Sequence, residues 1–175
     1  MKNYLSLKEI QKDISAKTIS CHEIVRGYIK NINREKDLNA FIEVYGKEAL
    51  KHALIIDKKI IEKKAGKLAG LVIGIKDNIC YKDHPSTAAS KILQGYRSPY
   101  SATVVERLIS EDAIILGRLN CDEFAMGSSN KNSTYGPTLN PINKEYVPGV
   151  SKFKLKLGIL NPSSWKRMYK KSIRA

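Results

Sequence analysis

The spacing of apolar residues changes along the chain, and each pattern predicts a different kind of element. Leu5, Leu7, Ile10 and Ile14 have a loose helical spacing, which predicts a helix within 5–15. Ser20-Cys21-His22-Glu23 has the form of a capping box. In such a box the serine hydroxyl accepts from the glutamate N–H, and the carboxylate accepts from the serine N–H. The helix it opens carries Ile24, Val25, Tyr28, Ile29 and Ile32 on one stripe. Residues 38–44 are a short run that fits either a strand or an extended link. The pattern over 47–64 is helical again, with Leu50, Ala53, Leu54, Ile60 and Ile61 expected inward and lysines outward.

The texture changes at Gly66. Residues 71–75 are nearly all apolar and are bounded by Gly70 and by Lys76-Asp77-Asn78, the pattern of a strand buried on both faces. Residues 102–110 suit a helix with Val104, Val105, Leu108 and Ile109 inward, and 113–117 repeat the buried-strand pattern. Strand, helix and strand in that order predict a parallel crossover unit. After Leu119 the chain becomes loop-like, crowded with Gly, Ser, Asn and Pro up to Pro141. Loops at the ends of parallel strands are where α/β proteins place their sites. A second break falls at Gly149, so 1–149 is expected to form one unit and 150–175 a basic tail.

Charge alters this picture only locally. The net charge is +14, but eight of the 31 basic residues and none of the 17 acidic ones lie in 151–175, so the body is mildly basic. Cys21, Cys80 and Cys121 are odd in number and widely separated, which fits reduced thiols rather than a disulfide framework or a zinc site. No apolar run is long enough to cross a bilayer, and no signal-peptide core opens the chain, so the expected compartment is cytoplasmic, with no membrane partner.

Among single residues, Lys76 ends a buried strand, where a lysine either snorkels to solvent or, if desolvated, works as a general base. Ser128-Ser129-Asn130-Lys131 spells S-x-x-K without the companion elements of serine β-lactamases, and Ser163-Ser164-Trp165-Lys166 spells it again. The adjacent Asp122 and Glu123 read as a turn cap and a surface charge. His22, His52 and His84 lack metal-ligand spacing, so no metal site is expected, and no phosphate-binding glycine loop is present.

A longer string of residues carries a resemblance. It begins with the 68–79 block around Gly74-Ile75-Lys76-Asp77-Asn78. Thr87-Ala88-Ala89-Ser90 and Pro99-Tyr100-Ser101-Ala102-Thr103 follow, then Gly117-Arg118-Leu119-Asn120-Cys121-Asp122-Glu123-Phe124-Ala125-Met126-Gly127-Ser128-Ser129. Tyr135-Gly136-Pro137-Thr138, Asn140-Pro141 and Val147-Pro148-Gly149 complete it. In this order they resemble the amidase-signature family, and the string from Asp122 to Ser129 is similar to its tRNA-dependent amidotransferase branch. The resemblance covers 1–149 and is strong from 66 onward. It implies a truncated amidase-signature fold of the α/β class, with N-terminal helices on a mixed, largely parallel sheet with flanking helices.

In that family a lysine deprotonates a bridging serine, which deprotonates a nucleophilic serine, and backbone N–H groups stabilise the oxyanion. Of this triad only Lys76 maps onto the chain, as the base, while Met126, Gly127 and Ser128 map to the loop beside glutamine. The implied role is a glutamine-hydrolysing subunit that supplies ammonia for converting Glu-tRNA(Gln) to Gln-tRNA(Gln) in translation. The implied partners are a kinase and tRNA-binding subunit, which uses ATP and magnesium, a small third subunit, glutamine and, through the complex, misacylated tRNA. The chain itself carries no cofactor on this reading.

The family continues past this point with a glycine-serine block. Here Val150-Ser151-Lys152 follows Gly149 instead. The bridging and nucleophilic serines are therefore absent, and the chain alone is expected to be inactive. The tail resembles nothing in the family, has the look of a shifted or read-through frame, and is expected to be disordered. The competing reading is a non-catalytic basic module that binds RNA or a partner. On the first reading the Lys76 ammonium is expected to be at least partly buried, near Ser128 or the loop before Gly149.

Overall fold

The computed structural model of the protein describes residue 2 and residues 4–148. The expectations for 150–175 lie outside the described residues. Four helices and three strands follow in the order α1 (Leu7–Ser15), α2 (Cys21–Arg34), β1 (Phe41–Val44), α3 (Gly46–Ile61), β2 (Val72–Lys76), α4 (Thr103–Ser110) and β3 (Ile114–Leu119). Short 3-10 turns occupy Lys36–Leu38 and Glu123–Ala125. The sheet order is β1-β3-β2, with β2 parallel and β1 antiparallel to β3. The fold is therefore α/β with a mixed sheet, as the family resemblance implied, and its parallel pair is the crossover that the strand-helix-strand pattern predicted. The ambiguous 38–44 run contains the antiparallel edge strand.

The continuous apolar runs have a simple cause. Side chains alternate across a strand, and both faces of this sheet are covered. Val72, Ile114 and Leu116 pack with Ile10, Ile14, Ile24, Val25, Ala49 and Ala53 from α1, α2 and α3. Ile73, Ile75 and Ile115 pack on the other face with Val105 and Leu108 from α4. Gly117 in β3 lets β1 come close, because a Cβ there would collide with the Glu43 carbonyl.

The helix boundaries follow local chemistry. The Ser20–Glu23 capping box is complete at the start of α2, and Asp57 of α3 adds a second cap by accepting from Cys21 N (2.7 Å) and His22 N (3.1 Å). Three inward assignments, in two helices, are corrected. In α3 the buried side chains are Ala49, Ala53 and Ile56, while Leu54 and Ile61 face solvent at 50% and 80% exposure. The helix begins at Gly46 and turns its small Ala49–Ala53 row onto the layer beneath, so the Leu54 row points out. In α4 Val105 and Leu108 are buried and Val104 is exposed, which leaves a narrower inward stripe than expected.

Candidate active site

Because β2 and β3 are parallel, their carboxyl ends lie together, with Lys76 paired to Leu119. Two loops leave from this edge, and their polar side chains weld them into one frame. Asp77 is the centre of it. Its backbone N–H donates to the Leu119 carbonyl (3.0 Å), and its side chain has no solvent exposure. The carboxylate accepts from Thr87 N (3.1 Å), Thr87 Oγ1 (2.6 Å), Ala89 N (2.7 Å) and the Arg118 guanidinium. Burial works against the Arg118 charge, and the Asp77 carboxylate outweighs it, so the guanidinium is held firmly charged. Arg118 also reaches Glu43 of β1 (3.5 Å) and lies under the Tyr135 ring. The Thr87 hydroxyl gives its proton to Asp77, so Tyr135 O–H donates to Thr87 Oγ1 across 3.0 Å.

These bonds hold a strained turn. Ala88 and Ala89 have φ of 47° and 51°, a left-handed conformation that costs a non-glycine residue about 1–2 kcal/mol. Their carbonyls receive the second loop, from Phe124 N (2.8 Å) to Ala88 and from Thr134 N (3.0 Å) to Ala89. Ser90 Oγ donates to Glu123 (2.6 Å), and Asp122 accepts from Asn130 N (2.9 Å) and Asn132 N (3.3 Å). Asp122 and Glu123 are thus loop braces. The expected side-chain cap is not made: Asp122 precedes the 3-10 turn, but its carboxylate is turned to the later N–H groups. Gly127 passes so close to that carboxylate that a Cβ would overlap it.

The expected site residues stand around this frame without meeting. Lys76 is exposed, which corrects the expected burial of its ammonium. Along β2 one apolar layer ends at Val72 and the other at Ile75, so the last side chain of the strand lies past both. Among the described residues the Lys76 ammonium has no hydrogen bond or ion pair. Its charge acts on the neighbouring Cys121, whose thiol burial pushes up despite that charge. That direction favours the protonated thiol over the reactive thiolate. Met126 is 78% exposed, and Gly127 and Ser128 are exposed beside it. Among the described residues no hydrogen bond joins Lys76 to these three, and the Ser128 hydroxyl pairs with no base. No group of three or more His, Cys, Asp or Glu in the described residues is placed to hold a metal ion. Sequence reasoning missed Asp77, Thr87, Arg118 and Tyr135. The available signal was Arg118, a charged residue placed directly after the buried 113–117 run.

Known proteins share this sequence pattern and this fold. The family model described as Amidase matches residues 23–151. Curated relatives include the A subunit of glutamyl-tRNA(Gln) amidotransferase from Chlorobium chlorochromatii, 47% identical over 147 residues. Its counterpart from Brachyspira hyodysenteriae is 43% identical over 153 residues. These alignments cover 83% and 85% of the chain, but only 31% and 32% of the relatives, so the chain spans about a third of their length. Among solved structures, a bacterial aryl acylamidase of the amidase-signature family aligns with a TM-score of 0.77 at 28% identity, covering 85% of this chain and 32% of that one. The peptide amidase of Stenotrophomonas maltophilia aligns at 0.75 and 28%, covering 82% and 31%.

Proposed function

The chain belongs to the amidase family, whose pattern it carries over residues 23–151, and from that premise we propose that it is the N-terminal part of the glutamine-hydrolysing subunit of a tRNA-dependent amidotransferase. The observation that carries this reading is the 43–47% identity to the glutamyl-tRNA(Gln) amidotransferase relatives, against 28% to the aryl acylamidase and the peptide amidase. Within it Lys76 acts as the base that starts the proton relay, and Met126, Gly127 and Ser128 border the glutamine side chain. Acyl transfer at neutral pH requires an activated nucleophile and oxyanion donors as well. Those belong to the part of the relatives that the chain does not span. Activation of the tRNA-bound carboxylate with ATP and magnesium belongs to a companion subunit, another small subunit completes the complex, and the whole works in the cytoplasm.

A chimera tests this. Residues 1–148 replace the matching N-terminal third of the Chlorobium chlorochromatii relative, and ammonia release from glutamine is followed in its complex. Activity within tenfold of the parent is expected, with Lys76→Ala in the chimera lowering kcat/KM by at least about 10³, the scale of losing one triad member. A folded chimera without activity, or a Lys76→Ala variant within tenfold of it, removes the assignment.

A further inference from the structure

The outer face of α3 carries side chains that the fold leaves without a partner. Successive helical residues are rotated by about 100°, so Lys47, Lys51, Leu54, Ile55, Lys58 and Ile61 share one stripe. All six are exposed, with Leu54 at 50%, Ile55 at 46% and Ile61 at 80%. Leu54 and Ile61 are a heptad apart, and so are Lys51 and Lys58 in the row beside them. Nearby acids are engaged elsewhere. Asp57 caps α2, Glu48 is taken by Tyr81 and His84, and Glu62 is paired with Lys64. Lys59 is turned to Asp112 at 2.7 Å. Lys47, Lys51 and Lys58 have no ion pair among the described residues.

We propose that this stripe docks an acidic amphipathic helix of a companion subunit, with apolar side chains at heptad spacing against Leu54 and Ile61 and carboxylates against Lys51 and Lys58. The proposal rests on the subunit reading above. Two exposed rows with the same seven-residue spacing match the seam and flanking charges of a helix pair, and the uncompensated lysines fix the sign of the partner. Other occupants fit less well. Phosphate binding makes no use of three exposed aliphatic side chains, and the stripe has no aromatic on which a base could stack. A membrane surface needs an unbroken apolar face, whereas here the lysine row runs between Leu54 and Ile61 on one side and Ile55 on the other. Lysines are also almost never buried unpaired, so cover by further chain of the same subunit would have to bring three acids with it.

The test uses the 175-residue chain immobilised on a biosensor. The recombinant companion subunits of the source organism's amidotransferase, bulk tRNA, and vesicles of phosphatidylcholine with phosphatidylserine are passed over it separately. The paired changes Leu54→Ser with Ile61→Ser, and Lys51→Glu with Lys58→Glu, are each expected to weaken companion binding at least tenfold. Lys8→Glu on α1 leaves it within twofold. Companion binding that stays within threefold in both paired variants overturns the docking face while leaving the subunit reading intact. Losses confined to tRNA or to vesicles overturn it too. A wild-type chain that binds no companion subunit also overturns the docking face, and the activity of the chimera described above then decides the subunit reading separately. Circular dichroism checks each variant for folding. Should a pair unfold, a photo-crosslinker placed at Ile61 replaces it: linkage to an acidic helical segment supports the face, and its absence in a bound complex overturns it.

Discussion

Asp77 and Arg118 show how much one buried pair can organise. The carboxylate is without exposure and takes four hydrogen bonds, so its loss leaves a buried guanidinium with only the longer contact to the half-exposed Glu43 (3.5 Å). Breaking one half of such a pair costs about 3–5 kcal/mol. Asp77→Ala is therefore expected to lower the unfolding free energy by about that amount in urea titration, and adding Arg118→Met to recover part of it. A loss below about 1 kcal/mol would mean that the 87–90 turn holds itself. Glu48 supplies a pH test. Desolvation pushes its carboxyl upward, but hydrogen bonds from Tyr81 O–H (2.9 Å) and from His84 outweigh this and hold it below the ordinary carboxylate value. A carboxyl depressed in the folded state contributes stability above its unfolded pKa of about 4.3, and that contribution fades as pH falls through the folded value. The Tm gap between the wild type and Glu48→Gln is thus expected to be present at about pH 7 and to shrink toward about pH 3. A gap independent of pH would contradict it.

At the scale of elements, α2 begins where its sequence says it must. Ser20 Oγ accepts from Glu23 N at 3.1 Å, and Glu23 Oε2 accepts from Ser20 N at 2.9 Å. Ser20→Ala is expected to destabilise by about 1 kcal/mol, read as a lower denaturant midpoint at unchanged slope. Asp57 continues to cap the same helix end, so the loss stays in that range. An unchanged midpoint would show that Asp57 alone suffices. Capping boxes are legible because every participant is local in sequence. Strands β2 and β3 were legible for a related reason: unbroken apolar runs bounded by polar turns have few other uses. The facing of α3 and α4 was less so. Both helices have more than one apolar row, and only the surface they pack on selects which row is buried, Ala49–Ala53–Ile56 in one and Val105–Leu108 in the other.

For the whole molecule, the described residues supply an exposed Lys76, a Ser128 without a base and a rigid hydrogen-bonded frame. The 175-residue chain by itself is accordingly expected to release no ammonia from glutamine above the background of its Lys76→Ala variant, measured over hours by coupled assay. Turnover that disappears in that variant would show that a serine of this chain attacks. The sequence by itself determined the α/β class, the parallel crossover, the capping box and the family, because each rests on local spacing or on a contiguous string of residues. Tertiary structure alone decided that Lys76 projects into solvent and that Asp122 and Glu123 brace loops. It alone also joined Asp77, Thr87, Arg118 and Tyr135 into one network. Those residues are up to 58 positions apart in the chain, and no local periodicity records a contact that exists only because parallel β2 and β3 bring their carboxyl ends together.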